Sequence, residues 1–304
     1  MTRYKFYTTD VFTEQMFGGN QLAVFPDASG LETDLMQNIA KEFNFSETAF
    51  VFPPKDSNNT KKLRIFTPST ELPFAGHPTV GTAYVLAAIG AIPLTDTQTD
   101  IIFEEGVGLV PVSIYSQGGT PTSAYLTAAK LPELADNPIS YDIIAQILSL
   151  EEKDLLLGEW KPQIASCGVP FLFVPLRDRA TLARASLHRD FWQKYLKSTS
   201  APDIYLFCFD PEREDSDIRS RMFAPSMGIE EDPATGAAAT ALAGYLGVRN
   251  STTDGVIKWQ VEQGFEMGRP SILQVEAEKT QGKITKVRVG GSSIMVTEGI
   301  MNIT

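Results

Sequence analysis

The sequence predicts an α+β protein made of two similarly folded halves, each a curved mixed β-sheet wrapped around a central helix. Three observations lead to this fold class. A pair of motifs recurs after about half of the chain, short apolar strands alternate with helices, and two of the helices consist mainly of Ala, Gly and Thr. A chain of 304 residues is long enough for two domains of ordinary size.

The first recurring motif is RIFTPS at 64–69 and RMFAPS at 221–226, which share four of six positions. The second is HPTVGTA, which begins at His77, and DPATGAA, which begins at Asp232. The copies lie 157 residues apart for the first motif and 155 for the second, so this alignment places His77 opposite Asp232. Two motifs that recur in the same order predict an internal duplication.

Buried strands are predicted where apolar residues run together or alternate with polar ones. The segments with these patterns are residues 48–54, 62–68, 170–176, 204–210 and 218–225. Helical spacing of apolar residues predicts two further elements, helices over 31–43 and 140–150.

The two central helices are predicted to start behind His77 and Asp232, each of which directly precedes a proline. Proline is favoured at the first helical position because the N–H it lacks would have no helical partner there. Aspartate is a preferred N-cap, and histidine is a weaker one. Since Ala, Gly and Thr are small, strands can pack closely around both helices.

We expect the first half to span residues 1–118, joined by a C-terminal strand at 292–304, and the second half to span 119–291. The turn SQGGTP at 116–121 is the expected crossover between the halves. The active site is expected in the cleft between them.

The composition excludes several classes of function. With a net charge of −11 and no long basic run, the chain lacks the electrostatic signature of nucleic-acid binding. The N-terminal residues have no apolar signal-peptide core, and the longest apolar stretch, 84–92, is far shorter than the roughly 20 residues of a membrane span. The two cysteines and two histidines show no metal-ligand spacing. We expect a cytoplasmic protein without a metal.

Two titratable residues mark a candidate binding site, His77 and Asp232. If the N-terminal ends of the two central helices meet, their free N–H groups and positive dipoles would bind a carboxylate. Gly76 and Gly236 would let ligand atoms approach the backbone closely. The alternative is that both titratable residues only cap helices, and for Asp232 the capping role alone explains the residue.

Glu47 is a third candidate because it interrupts an apolar stretch between Phe45 and Phe50. A partly desolvated carboxylate at this place would suit a general base. The alternative is a solvent-exposed turn residue, which is the ordinary state of glutamate. The acidic runs at 104–105 and 212–215 are expected to be solvated surface. An acid or base from each half suits proton abstraction and redelivery on a small carbon acid.

Several motifs together resemble the PhzF-like family of phenazine-biosynthesis isomerases. They are GGNQLAVF (18–25), FNFSETAFV (43–51), RIFTPSTELPFAGHPTVGTA (64–83), EDPATGAAA (231–239) and QGFEMGRPS (263–271). They occur in order and span nearly the whole chain. The resemblance implies a diaminopimelate-epimerase-like fold, a homodimer, and an isomerase that needs neither a metal nor an organic cofactor.

The resemblance also implies roles for single residues. Glu47 would move a proton between carbons of a small carboxylated, cyclic substrate, which His77 and Asp232 would hold and polarise. The remaining substrate-binding residues would be Asn20, Gly76, Gly236 and Ala237. At Ala237 the family commonly has a serine, so here the backbone N–H is kept and the hydroxyl is lost.

Two alternatives to the isomerase remain open. The loss of the serine hydroxyl is compatible with a small-ligand binding protein that has the same cleft and no turnover. The other alternative is a racemase or epimerase that does not use cysteines. The two-cysteine enzymes of this superfamily carry a cysteine near the start of each central helix, where this chain has Ala75 and Pro233, and Cys167 and Cys208 lie outside those motifs.

Overall fold

The computed structural model describes residues 2–303. The β-strands, in chain order, are β1 (Thr2–Val11), β2 (Asn20–Phe25), β3 (Glu47–Phe52), β4 (Lys61–Phe66), β5 (Glu71–Leu72), β6 (Gln98–Glu105), β7 (Gly108–Gln117), β8 (Thr120–Thr127), β9 (Glu133–Asp136), β10 (Gln163–Ser166), β11 (Pro170–Pro175), β12 (Ile204–Cys208), β13 (Ile218–Ala224), β14 (Ile229–Asp232), β15 (Gly255–Gln263), β16 (Ser271–Thr280), β17 (Lys283–Gly291) and β18 (Ser293–Ile303). The α-helices are α1 (Thr33–Phe43), α2 (Gly76–Ala88), α3 (Tyr141–Ile147), α4 (Arg179–Arg184), α5 (Arg189–Tyr195) and α6 (Gly236–Gly247).

The strands and helices predicted from apolar patterns are confirmed, with ends that differ by a few residues. The predicted strands are β3, β4, β11, β12 and β13, and the two helices with apolar spacing are α1 and α3. Both predicted central helices are present as α2 and α6. Among residues 2–303, no helix has the length and apolar character needed to cross a membrane.

The chain divides into two compact units. The first contains the described residues up to 129 together with 289–303, and the second contains 130–288. The turn at 116–121 was expected to connect the halves, but it joins β7 to β8 within the first unit. Gly118 and Gly119 both have positive φ, 58° and 79°, which suits a tight hairpin reversal.

The first unit is a mixed sheet around α2. β1 pairs antiparallel with β18 and with β2, so both ends of the chain lie in this unit. β2 runs parallel to β3, β3 is antiparallel to β4, and β4 pairs antiparallel with β5 and parallel with β6. The hairpins β6–β7 and β7–β8 complete the order. α2 packs against β1, β2, β3, β7 and β8, while α1 packs against β3 and β4.

The second unit repeats this order of pairings around α6. β10 pairs antiparallel with β9 and β11, and β11 runs parallel to β12. β12 is antiparallel to β13, which pairs antiparallel with β14 and parallel with β15, and β15 is antiparallel to β16. α6 packs against β10, β11, β15 and β16. The predicted α+β class is confirmed, and the common order of pairings supports the duplication inferred from the motifs.

Burial explains the unusual composition of the two central helices. Nearly all residues of α2 and α6 are buried, so these helices are apolar on every side, as a helix enclosed by strands must be. A Cβ atom on Gly81 of α2 would lie 2.5 Å from Val11 and 2.7 Å from Leu22, so β1 and β2 can approach only a glycine at this place.

The helix starts differ from the prediction. α2 begins at Gly76, so His77 is its second residue, and Pro78 lies inside the first turn. α6 begins at Gly236, so Asp232 ends β14 four residues before the helix. The predicted capping roles of His77 and Asp232 are therefore wrong, because the backbone of the first is already helical and the backbone of the second is still extended.

A repeated ion pair establishes the alignment of the two copies. Arg64 on β4 donates two hydrogen bonds to Glu71 on β5, at 2.7 and 2.6 Å. Arg221 on β13 donates to Glu231 on β14 in the same way, at 2.8 and 2.9 Å. The two arginines lie 157 residues apart and the two glutamates 160, so the second copy is three residues longer between these points.

With this alignment, His77 corresponds to Ala237 and Asp232 corresponds to Leu72. Strand, turn and helix fall at matching places over 71–80 and 231–240, which supports the offset of 160. The predicted pairing of His77 with Asp232 is therefore wrong. The motifs that suggested it share only a proline and small residues, which recur wherever a helix is tightly enclosed.

Candidate active site

The first unit brings Glu47 and His77 together. Glu47 is the first residue of β3, and its Oε2 atom lies 3.3 Å from Nε2 of His77 in the first turn of α2. The exposed fraction is 12% for the Glu47 side chain and 4% for the His77 side chain. Part of the Glu47 side chain is thus exposed, although its Oε2 atom is buried, while the imidazole is shielded from water.

Asn20 holds the other side of the His77 ring. The Asn20 amide nitrogen lies 3.2 Å from Nδ1 of His77, and both side chains are buried. Burial lowers the pKa of His77 to about 3, and a hydrogen bond to the backbone of Gln21 opposes this shift only partly. The imidazole is therefore neutral at physiological pH.

The first turn of α2 contacts a second carboxyl group. The Thr79 hydroxyl oxygen lies 2.8 Å from the carbonyl oxygen of Ala75 and 2.7 Å from Oε1 of Glu105. Burial raises the pKa of Glu105 to about 8. The expectation of solvated surface at 104–105 is wrong for Glu105. The missed signal is the alternation along β6, because Ile101 and Phe103 are buried and Glu105 lies on their face of the strand.

In the second unit, Asp232 belongs to a buried polar network at the start of α6. Its carboxylate accepts a 2.5 Å hydrogen bond from the Thr235 hydroxyl, and its carbonyl oxygen accepts one of 2.8 Å from the Gln263 amide. The Gln263 carbonyl oxygen accepts from the backbone N–H of Thr235 and from the Tyr205 hydroxyl. These bonds fix the loop that leads to Gly236.

The predicted substrate-binding residues lie at the two helix starts. Gly76 is the buried first residue of α2, Gly236 is the first residue of α6, and Ala237 follows with part of its surface exposed. Asn20 begins β2 in the first unit. The structure thus places Asn20 and Gly76 with the Glu47–His77 pair, and Gly236 and Ala237 with Asp232.

The counterpart of Glu47 in the second unit is Asp203. Thr48 pairs with Phe66, and Ile204 pairs with Phe223, so the residues just before them correspond. Asp203 is 2% exposed and accepts hydrogen bonds from the Ser226 backbone N–H, at 3.0 Å, and the Ser226 hydroxyl, at 2.5 Å. This carboxylate is held by its own unit and has alanine, not histidine, at the corresponding helix position.

The cysteines are unsuited to acid–base work. Burial raises the pKa of Cys167 to about 12 and the pKa of Cys208 to about 11. Both belong to the second unit, so they do not supply one thiol per half. Within residues 2–303, the structure contains no cluster of three His, Cys, Asp or Glu side chains able to hold a metal ion.

Comparisons with known proteins identify the family of the chain. The family model described as phenazine biosynthesis-like protein matches residues 9–299. The chain belongs to this family. An uncharacterized isomerase of Mesorhizobium japonicum is 36% identical over 95% of this chain and 96% of its own length. The trans-2,3-dihydro-3-hydroxyanthranilate isomerase of Pseudomonas aeruginosa is 33% identical over 97% of this chain and 98% of its own length.

A solved structure supports the family at the level of the fold. The PhzF-family phenazine biosynthesis protein of Bacillus anthracis has a TM-score of 0.89 and 26% identity, and the match covers 100% of both chains. The fold implied by the motifs is therefore confirmed. With curated members of the family named isomerases, the chain is an enzyme of the isomerase class.

Proposed function

We propose that the chain is a cofactor-independent isomerase that moves a proton between carbons of a small carboxylated, cyclic substrate, with Glu47 as the base. The observation that carries the proposal is the contact between Glu47 and a buried, neutral His77. A partly exposed glutamate side chain can meet a substrate, and a shielded imidazole beside it can fix its orientation.

The state of His77 determines how the pair works. The buried ring is neutral, and its Nε2 atom, which faces Glu47, lies 3.3 Å from the Oε2 atom of the carboxylate. His77 thus places a neutral ring, and not a full positive charge, beside the carboxylate. Because an adjacent cation would hold the carboxylate in its ionised form, a neutral partner leaves Glu47 able to take up a proton and return it.

The predicted binding residues supply the polar groups for a carboxylate. α2 and α6 are 13 and 12 residues long, so each has a helix dipole and free N–H groups at its start. Gly76 lies at the start of α2, and Gly236 and Ala237 lie at the start of α6. We carry forward the expectation that Asp232 and these residues bind the same substrate as Glu47, and that the protein is a homodimer.

The name of a relative supports the proposed substrate class. The Pseudomonas aeruginosa relative is named for trans-2,3-dihydro-3-hydroxyanthranilate, a carboxylated ring. A substrate with an acidic carbon in such a ring fits one proton-moving carboxylate beside the start of α2. Ala237 removes a hydroxyl group from this site, so we expect a substrate with one hydrogen-bonding group fewer than that of serine-containing relatives.

The test is proton exchange in deuterated water. Carboxylated dihydro-ring compounds are screened by thermal shift, and those that bind are followed by NMR for deuterium uptake at carbon with wild type and Glu47→Gln. We expect a rate about 10²- to 10⁴-fold lower in the variant, the usual contribution of a general base. The matched control is Asp203→Asn, the corresponding buried carboxylate, which should keep the wild-type rate per folded molecule.

The other outcomes separate the alternatives. Exchange that persists unchanged in Glu47→Gln contradicts the role of Glu47. A compound that binds tightly and never exchanges with the wild type favours a binding protein without turnover. Exchange with inversion at a single stereocentre, seen by chiral analysis, favours a racemase or epimerase.

A further inference from the structure

The hydrogen-bond geometry at Glu105 favours a proton on its carboxyl group, because the Thr79 hydroxyl can donate its single hydrogen to only one of two neighbouring oxygen atoms. The Thr79 hydroxyl has one hydrogen, and two oxygen atoms lie within 2.8 Å of it. One belongs to the carbonyl of Ala75, which can only accept. When the hydroxyl donates to that carbonyl, the hydrogen of the second contact has to come from Glu105. The remaining oxygen, Oε2, is buried and makes no hydrogen bond within residues 2–303.

The repeat supports the same protonation state. β4 pairs with β6 as β13 pairs with β15, and this register aligns Glu104 with Glu262 and Glu105 with Gln263. Glu104 and Glu262 have the same structural role, since each accepts hydrogen bonds from two backbone N–H groups of a loop. In the second pair, a glutamate occupies the place of a glutamine, which donates to the hydroxyl of Thr235, the residue that corresponds to Ala75 and not to Thr79. A neutral carboxylic acid has the shape and donor capacity nearest to such an amide.

We propose that Glu105 works as a neutral carboxylic acid, which donates a hydrogen bond to Thr79 and so fixes the first turn of α2, the turn that carries His77. Glu105 is thus a positioning residue. The proposal concerns the packing of the first unit and is independent of the proposed isomerase activity, since it is tested without a substrate.

No charged neighbour accounts for this protonation. The titratable side chains on the elements around Glu105 are Asp100 and Glu104 on β6, Lys61, Lys62 and Arg64 on β4, Tyr115 on β7, and His77 and Tyr84 on α2. None of them contributes to the shift. Burial raises the pKa of Glu105, and the Thr79 hydroxyl opposes the rise. Burial of the carboxyl group, whose Oε2 atom is shielded from water, favours its neutral form.

The pH dependence of the stability tests the proposal, because a neutral Glu105 fixes the direction in which the stability changes with pH. A carboxyl with a pKa of 4.5 in the unfolded chain and about 8 in the folded protein holds its proton more tightly when folded. Its contribution to stability is complete below pH 4.5 and is lost as the pH rises through 8, by up to about tenfold in the folding constant per pH unit. Glu105→Gln removes this loss and keeps the donor.

Glu104 is the matched control because its carboxyl group should change the stability of the protein with pH in the opposite direction. Hydrogen bonds from Asn59 and from the backbone of Asp56 and Lys55 lower its pKa to about 2. The ionised form of Glu104 therefore stabilises the protein at neutral pH, and this contribution is lost as the pH falls towards 2. Neighbouring glutamine substitutions should thus change stability in opposite directions.

Thermal unfolding of wild type, Glu105→Gln and Glu104→Gln is measured from pH 5 to pH 8. At pH 7 to 8 we expect Glu105→Gln to unfold at a higher temperature than wild type, with a gap that narrows towards pH 5, and Glu104→Gln to unfold at a lower temperature. A Glu105→Gln protein that is less stable than wild type at pH 7, or a gap that does not change with pH, overturns the proposal.

The positioning role has its own readout. The ring signals of His77 are recorded by NMR in Glu105→Ala, Glu105→Gln and Thr79→Val. We expect them to shift in the alanine and valine variants and to return to the wild-type position in the glutamine variant. Ring signals that stay unchanged in Thr79→Val, the variant that best preserves volume, overturn the role of this contact in holding α2.

Discussion

The starts of α2 and α6 share one structural arrangement but carry different side chains. In both units an arginine on one strand binds a glutamate on the next, and a glycine begins the central helix. In the arrangement around α2, Glu47 and His77 are in contact. Around α6 the corresponding residues are Asp203, which is held by Ser226, and Ala237. Only the first unit has a carboxylate beside an imidazole.

This difference bears on how the two units would divide the proposed tasks. The backbone frame supplies two helix starts, each with free N–H groups, and the side chains added to the frame decide which copy does chemistry. Asp203 occupies the corresponding strand end, yet both of its oxygens are used by its own unit. Under the proposed function, we therefore expect proton transfer in the first unit and substrate binding alone at the start of α6.

The largest expected effect on stability comes from replacing the arginine of the repeated ion pair in each unit. The Arg221 side chain is 9% exposed and also donates to the carbonyls of Leu182 and Ala185, whereas the Arg64 side chain is 21% exposed. Arg221→Met leaves a buried charge and carbonyls without their partner, so we expect a loss of about 3–5 kcal/mol. Arg64→Met should cost about 1 kcal/mol.

Urea unfolding of both variants measures the two free energies. Equal losses of unfolding free energy would mean that water is excluded equally from the two arginines, and this would contradict the difference between their exposed fractions. A larger loss for Arg64→Met would reverse the assigned order.

The next effect concerns His77. The neutral His77 ring packs against the Glu47 carboxylate, so under the proposed function the loss of this contact in His77→Gln should lower the exchange rate on a confirmed substrate about tenfold. His188→Gln is the control, because His188 is exposed and belongs to the second unit. If both variants exchange at the wild-type rate, His77 does not assist the base.

The smallest expected effect on stability comes from exchanging the residues at one pair of corresponding positions in the two central helices. Gly81 of α2 corresponds to Ala241 of α6. In Gly81→Ala the methyl group would lie 2.5 Å from Val11, and the strain should exceed the helix propensity gained, for a net loss of about 1–2 kcal/mol. Ala241→Gly loses propensity and a buried methyl group, also about 1–2 kcal/mol.

Thermal unfolding checks both exchanges. A Gly81→Ala protein more stable than wild type would mean that β1 and β2 can move away from α2, and that the two helix environments are interchangeable.

The sequence predicted the fold well because its signals are local. Apolar alternation located β4 and β13, and small residues identified the two central helices. The helix starts were misplaced because a histidine or aspartate before a proline looks like an N-cap. The distinction depends on strand β5 and strand β14, which end just before each helix and are too short to recognise.

The site was predicted in part for a related reason. Glu47, His77 and Asn20 were found through motifs and do lie together. The contact of Thr79 with Glu105 joins residues 26 positions apart through the folding of β6 beside α2. The correspondence of Glu47 with Asp203 was missed as well, because it appears only when strand pairings are compared and the two residues share no motif.

The most direct test of the division between the two units is an NMR titration of the His77 ring nitrogens, with His188→Gln used to assign the two histidine signals. Because burial places the pKa of His77 at about 3, we expect no change in its ring signals between pH 8 and pH 5. A ring that gains a proton near pH 6.5 would contradict a shielded, neutral partner for Glu47.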